Sequence, residues 1–375
     1  MERFPSNDII SLVASAPRHD LAESVGPSLR LGELFGRDMA ELADLPLNYG
    51  SAAGDAELRA LIAARHRVSA EDVVVTVGGM HALFLLAFTL CGPGDEAVIA
   101  EPAFPLARNT LGAVGATVRP LPLRFDDGYR LDPEALRALL TPKTRIVSLA
   151  SPQNPSGVAI PASTLREVAE LMRTHAPDAW LVVDETYREA AYGDNRTMPS
   201  ASAAGPRVVT VASLSKCHGA AGLRIGWAIT RDPVLRQSLV TAKFNTVISC
   251  SPLDERMALA VLRQGEHIVG ARRRHLAHNL QTLEAWIGRH AAELEWVRPD
   301  AGALCCVRLK PAVYDDDDAP QRFQAALQER GIRLAPGTWF GDEPRVFRLG
   351  FGLATNAELA AALEGVGAAL RQAAD

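Results

Sequence analysis

From about Leu58 to Ile229 the chain alternates short apolar runs with segments of helical pattern. The runs are Asp72-Val73-Val74-Val75-Thr76, Ala97-Val98-Ile99-Ala100, Arg145-Ile146-Val147-Ser148-Leu149, Trp180-Leu181-Val182-Val183, Val208-Val209-Thr210-Val211 and Arg224-Ile225-Gly226-Trp227-Ala228-Ile229. A strand that is apolar at nearly every position must be covered on both faces. Helical patterns fill several of the gaps, as at Pro133 to Leu140 and Ala162 to His175. The alternation predicts an α/β fold with a doubly wound, mostly parallel sheet.

After Pro252 the texture changes. Asp254 to Arg289 reads as one long charged helix, followed by strand patterns at Leu294-Trp296, Ala303-Leu309 and Arg345-Leu349 and a last helix from Asn356 to Ala373. That predicts a second, smaller α+β unit, with the acidic run Asp315 to Asp318 as a solvated loop. The 375 residues suit about two or three domains. Lys and Arg total 39 against 44 Asp and Glu, and no basic run dominates, which argues against a nucleic-acid partner. The start, Met1-Glu2-Arg3-Phe4-Pro5, lacks a signal-peptide layout, and the most apolar window, Ala82 to Leu90, is too short to span a membrane. The cysteines number five, with no CxxC pair, so neither a disulfide framework nor a metal site is expected, and a reducing cytoplasmic setting fits best.

Chemistry-bearing residues cluster just after the apolar runs. In open α/β sheets ligands bind beyond the carboxyl ends of the strands, so these clusters should converge. Gly78-Gly79-Met80 opens a helix, where backbone N–H groups and the helix dipole attract an anion. Ser213, Ser215 and Arg224 complete a phosphate cradle. Asp184, ending an apolar run, calls for a cationic partner such as a protonated pyridine nitrogen. Asn154 and Tyr187 suit a phenolate oxygen, Phe104 offers a flat stacking face, and Lys216 supplies an amine able to form an imine. A phosphate, a pyridinium, a phenolate, a ring face and an aldehyde together describe pyridoxal 5'-phosphate.

The ordered set Asn48-Tyr49-Gly50, Asn154-Pro155-Ser156-Gly157, Asp184-Glu185-Thr186-Tyr187, Ser213-Leu214-Ser215-Lys216 and Arg348-Leu349-Gly350-Phe351 resembles the class I and II aminotransferases, which are fold-type I pyridoxal phosphate enzymes. The resemblance implies Lys216 as the Schiff-base lysine, Asp184 as partner of the ring nitrogen, and Tyr187 with Asn154 as partners of the ring hydroxyl. It implies Phe104 as the stacking residue and Gly79, Met80, Ser213, Ser215 and Arg224 as the phosphate site. Arg348 takes the substrate α-carboxylate, beside Asn154. Tyr49 reaches the phosphate of a neighbouring subunit, implying a homodimer with shared active sites. The expected organisation is an N-terminal arm over residues 1–45, a large cofactor-binding domain over 46–250 and a small domain over 251–375.

The activity implied is transfer of an amino group between an L-amino acid and a 2-oxo acid. A rival comes from the early stretch Asp20-Leu21-Ala22-Glu23-Ser24-Val25-Gly26 with Leu31-Gly32-Glu33-Leu34, which resembles pyridoxal phosphate lyases and cyclases of the capreomycidine synthase kind. Glu23 in that arm could receive a basic side chain. His81 reads equally as a substrate-facing group or a helix packing residue, and Cys217 as a small packing residue. The same domain also serves DNA-binding regulators, but the 48 residues before Tyr49 carry no basic recognition helix.

Overall fold

The computed structural model describes residues 3–14, 17–36, 40–192 and 197–374. Met1 and Glu2, at the start of the N-terminal stretch considered above, lie outside them. The apolar runs form a large sheet from β1 (Val73–Val77), β2 (Glu96–Glu101), β3 (Thr117–Pro122), β4 (Thr144–Ala150), β5 (Trp180–Asp184), β6 (Val208–Ser213) and β7 (Ile225–Ile229). Its strand order is β1-β7-β6-β5-β4-β2-β3. Pairing is parallel except along β7, which runs antiparallel to both neighbours.

The period-2 rule explains why these strands are apolar throughout. Within β5, Leu181 and Val183 pack with Val98, Val147, Leu165, Val168 and Met172 on one side of the sheet. Trp180 and Val182 pack with Leu83, Leu86, Leu111, Leu235 and Leu239 on the other. The covering helices are α1 (Ala56–His66), α2 (Gly78–Leu90), α3 (Pro105–Ala113), α4 (Pro133–Leu139), α5 (Ala162–His175) and α6 (Pro233–Val247). Their starts are written locally. Proline occupies the first turn of α3, α4 and α6, and the carboxylates of Asp55, Asp132 and Asp232 accept from backbone N–H groups in the first turns of α1, α4 and α6.

Two elements differ from the sequence reading. Strand β3 was not anticipated, because it pairs with β2 alone at the sheet edge and carries Pro120 and Pro122 instead of a continuous apolar run. The single helix expected from Asp254 to Arg289 is two, α7 (Pro252–Arg263) and α8 (Gly265–Arg289), with a break at Gln264. There the Gln264 amide donates to Leu34 O, and Gly265 passes close to the Arg65 guanidinium, leaving no room for a Cβ. Leu259 and Leu262 of α7 pack with Leu58, Ile62 and Val75, against the large sheet.

Beyond α8, four strands form an antiparallel sheet: β8 (Leu294–Val297), β9 (Leu304–Leu309), β10 (Ala335–Pro336) and β11 (Val346–Gly350), in the order β10-β11-β9-β8. Helices α9 (Ala319–Glu329) and α10 (Asn356–Ala374) cover it, with Trp286, Phe323, Phe347 and Leu363 in one core. The N-terminal segment joins this unit through a parallel pairing of His19–Asp20 with Ile332–Arg333, reinforced by the Asp20–Arg333 ion pair at 2.5 Å.

Backbone packs directly on backbone where β7 meets the start of α2. A Cβ on Gly226 would overlap Gly78 C and Gly79 N, which are backbone atoms with nowhere to go. Replacing Gly226 by Ala should therefore cost about 1–3 kcal/mol of stability, measured by chemical denaturation.

Candidate active site

The carboxyl ends of β1, β4, β5 and β6 deliver their polar residues to one cavity of about 360 Å³. Gly79, Met80, Phe104, Asn154, Asp184, Tyr187, Ser213, Ser215, Lys216 and Arg224 all line it. That volume falls in the range of small-molecule sites. Arg348 stands beside it, bonded to Asn154. Tyr49 is elsewhere and 78% exposed, and Glu23 is half-buried in the segment next to Arg348 and Lys216.

At one end, α2 starts with Gly78 at φ +76°, a left-handed conformation natural to glycine. A side chain at Gly78 would strike the Arg224 guanidinium, so the glycine lets arginine and helix start approach each other. Arg224 itself takes a left-handed φ of 51° and donates to Ala221 O at 2.9 Å. The helix N-terminus, the arginine and the hydroxyls of Ser213 and Ser215 make an anion-binding end.

At the other polar wall, Asp184 Oδ1 accepts from Thr186 N at 2.9 Å and Thr186 Oγ1 at 2.5 Å. Both bonds fall on one oxygen, so Oδ2 remains for a donor in the cavity. Burial raises the Asp184 pKa and the Thr186 bonds oppose the rise. A cationic N–H donor would relieve this, as the ring nitrogen expected from sequence does. Tyr187 Oη is buried beside the Ser24 hydroxyl, and burial raises its pKa, with Arg348 and the Ser24 contact opposing. A buried phenol on the cavity wall can donate to an oxygen that comes with the ligand. The donor set thus fits pyridoxal phosphate at each of its polar groups.

Lys216 Nζ donates to Ser24 Oγ at 3.0 Å. Burial, with Arg348 next, lowers its pKa to about 8, against the opposing charges of Glu23 and Asp184. Arg348 is buried on β11 and has no carboxylate within ion-pair distance among the described residues. Its Nη1 donates to Asn154 Oδ1 at 2.8 Å, its Nη2 donates to Ala22 O, and its Cζ stands 4.5 Å from the Phe340 ring centre. Its Nε–H is without a partner. A buried guanidinium met only by neutral oxygens and a ring face favours an anionic ligand.

Three contributors escaped the sequence reading. Thr186 orients Asp184, and a hydroxyl two residues past the acid was the available signal. Ala22 O and Ser24 Oγ engage Arg348 and Lys216 from 326 and 192 positions away, and no local pattern announces that. His81 takes a structural place: its Nδ1 accepts from Val77 N at 3.2 Å and its Nε2 pairs with Thr246 Oγ1 at 3.2 Å. Cys217 donates to Thr186 O at 3.1 Å and its thiol is pushed up to about 12 by burial, so it packs and does not attack.

The sequence profile of the family described as aminotransferase class I and II matches residues 8–366. The chain is 33% identical to an arginine–pyruvate transaminase of Pseudomonas aeruginosa, covering 78% of this chain and 75% of that protein. It is 31% identical to capreomycidine synthase of Streptomyces vinaceus, covering 88% and 85%. A PLP-dependent aminotransferase from Streptococcus suis superposes with a TM-score of 0.89 at 26% identity, covering 99% of this chain and 98% of that one.

Because His81 ties α2 to α6 instead of facing the cavity, His81→Ala should leave kcat within a few-fold of wild type. It should lower stability by about 1 kcal/mol for the lost hydrogen bonds, read from thermal and chemical unfolding.

Proposed function

The chain belongs to the aminotransferase class I and II family, and on that premise we propose how its own residues move an amino group from an L-amino acid to a 2-oxo acid. It is a pyridoxal phosphate-dependent aminotransferase of fold type I. The observation that carries the residue assignment is the single cavity on which Lys216, Asp184, Tyr187, Asn154, Ser213, Ser215 and Arg224 converge.

Pyridoxal phosphate, when bound, supplies an electron sink that makes the substrate Cα–H bond acidic and carries the amino group between half-reactions. Arg224, Ser213, Ser215 and the backbone at Gly79 and Met80 would hold its phosphate. Asp184 Oδ2 would keep a proton on the ring nitrogen, and Tyr187 with Asn154 would hold the ring oxygen. Phe104 would cover a ring face. Arg348 takes the substrate carboxylate, with Asn154 steadying the guanidinium. Lys216 would hold the cofactor at rest, and its free amine would take the proton from the substrate Cα and give it back at the cofactor carbon that bears the amino group. An amine lowered to about 8 is partly neutral near neutral pH, so it can accept that proton. The base must be unprotonated, so the half-reaction rate should rise with pH and level off above about 8.

Glu23 carries no hydrogen bond or ion pair among the described residues, and it stands next to Ala22 and Ser24, which touch Arg348 and Lys216. It receives a cationic substrate side chain in this reading. The relative named arginine–pyruvate transaminase makes L-arginine and pyruvate the first pair to test. The likeness to capreomycidine synthase supports a second reading, elimination or cyclisation on a basic amino acid.

We also propose a homodimer in which Tyr49 serves the neighbouring site. Exposed Leu47, Tyr49, Phe244, Val247, Ile248 and Leu253 support it, with the Tyr49 loop tied to this face by Gly50 N donating to Ser249 Oγ at 3.2 Å. The arm, large and small units keep the proposed boundaries 1–45, 46–250 and 251–375. No described helix is long and apolar enough to cross a membrane, and all five cysteines are free, which supports the cytoplasmic assignment.

Lys216→Ala should abolish turnover and the visible absorption of the lysine-bound cofactor. Full activity in that variant would sink the assignment. Arg348→Lys should raise KM for the amino donor roughly 10- to 100-fold, because the planar fork is lost. Single-turnover mixing of holoenzyme with L-arginine and, in a second arm, with a β-hydroxylated L-arginine, whose hydroxyl can leave as water, separates the two readings. Formation of pyridoxamine phosphate and a 2-oxo acid supports transamination; ammonia or a cyclised product without them supports the second.

A further inference from the structure

The segment from Leu21 to Ser24 crosses both sheets at the cavity and touches a reacting group. Gly350 N donates to Leu21 O at 2.6 Å, Arg348 Nη2 donates to Ala22 O, and Lys216 Nζ donates to Ser24 Oγ. A Cβ on Gly350 would overlap Glu23 O, so the segment lies directly on the β11 backbone. A little farther on, Leu29 N donates to Gly219 O at 2.9 Å, just past the lysine. Ser24 is therefore pinned on both sides, and it is only 4% exposed.

We propose that Ser24 is a further catalytic residue of this aminotransferase, whose hydroxyl holds the free Lys216 amine where it takes and returns the substrate proton. The proposal rests on the aminotransferase reading. Charged groups surround the Lys216 amine, namely Arg348, Glu23, Asp184 and Arg224, yet neither carboxylate is within ion-pair distance of Nζ. Ser24 Oγ is its one hydrogen-bond acceptor among the described residues.

A hydroxyl suits this task for a physical reason. It accepts an N–H from both the neutral amine and the ammonium, so Nζ keeps its position through the proton cycle. A carboxylate at the same spot would favour the ammonium and hold the base in its inactive form. The hydroxyl also has a proton to place, and the buried Tyr187 Oη beside it lines the same small cavity of about 20 Å³ as Ser24 and Lys216.

Two measurements test this. In cofactor-free protein, reductive methylation of Lys216 by formaldehyde and cyanoborohydride, followed by mass spectrometry across pH, titrates Nζ without turnover. The ammonium gains more from an acceptor than the neutral amine does, so Ser24→Ala should lower the midpoint by roughly half to one pH unit. Ser24→Thr, which keeps the hydroxyl, should restore it. In the holoenzyme with L-arginine and pyruvate, Ser24→Ala should lower kcat about tenfold with KM changed less than about threefold, again restored by Thr. An unmoved midpoint, or a kcat within about twofold of wild type, overturns the proposal. A wild-type holoenzyme that converts none of L-arginine, L-alanine and L-aspartate overturns the aminotransferase reading instead, while the titration of Lys216 still stands or falls by itself.

Discussion

Three charged groups, Lys216, Asp184 and Arg348, are held in or beside one cavity without an ion-pair partner among the described residues. Charges removed from water must be compensated, and here the compensation comes from neutral dipoles. Ser24 Oγ serves the lysine, Asn154 Oδ1 and Ala22 O serve the arginine, and Thr186 N and Oγ1 serve the aspartate. Dipoles position these groups without cancelling their charge. Charges held in this way suit a cofactor with a phosphate and a pyridinium and a substrate with a carboxylate.

Such an arrangement needs a rigid support. The strand ends carrying Asp184 and Ser213 are clamped by cores on both faces of the sheet, so neither can retreat towards water. The phosphate end depends on close backbone packing instead: Gly226 lets β7 approach the start of α2, and Gly78 makes room for Arg224. The carboxylate end is different again. Arg348 comes from the smaller sheet and Asn154 from the larger, and the N-terminal segment lies over both. The proposed substrate contacts thus span the junction of the two sheets, while the proposed cofactor contacts lie almost wholly on one.

Much of this could be read from residue order. Strands buried on both faces announce themselves as unbroken apolar runs, and a polar group at the end of each run is conspicuous by contrast. The edge strand Thr117–Pro122 could not be read that way, since one exposed side and two prolines erase the run. The break at Gln264 was equally silent, because the bond from its amide to Leu34 O, 230 positions away, leaves no mark in the local pattern. His81 was ambiguous for the same reason. Its role is set by Val77 N and Thr246 Oγ1, and the second lies 165 residues away.

The sequence by itself determined the α/β sheet, the order of its ligand-bearing strand ends, the cofactor chemistry and the family resemblance. These follow from local periodicity and from residues within a few positions of a strand end. Only the tertiary structure decided how the charges are solvated: Ser24 on Lys216, Ala22 and Asn154 on Arg348, and Tyr49 turned away from this chain's own cavity. Those contacts join residues hundreds of positions apart, and hydrogen bonds of that kind leave no period or spacing in the chain to be read.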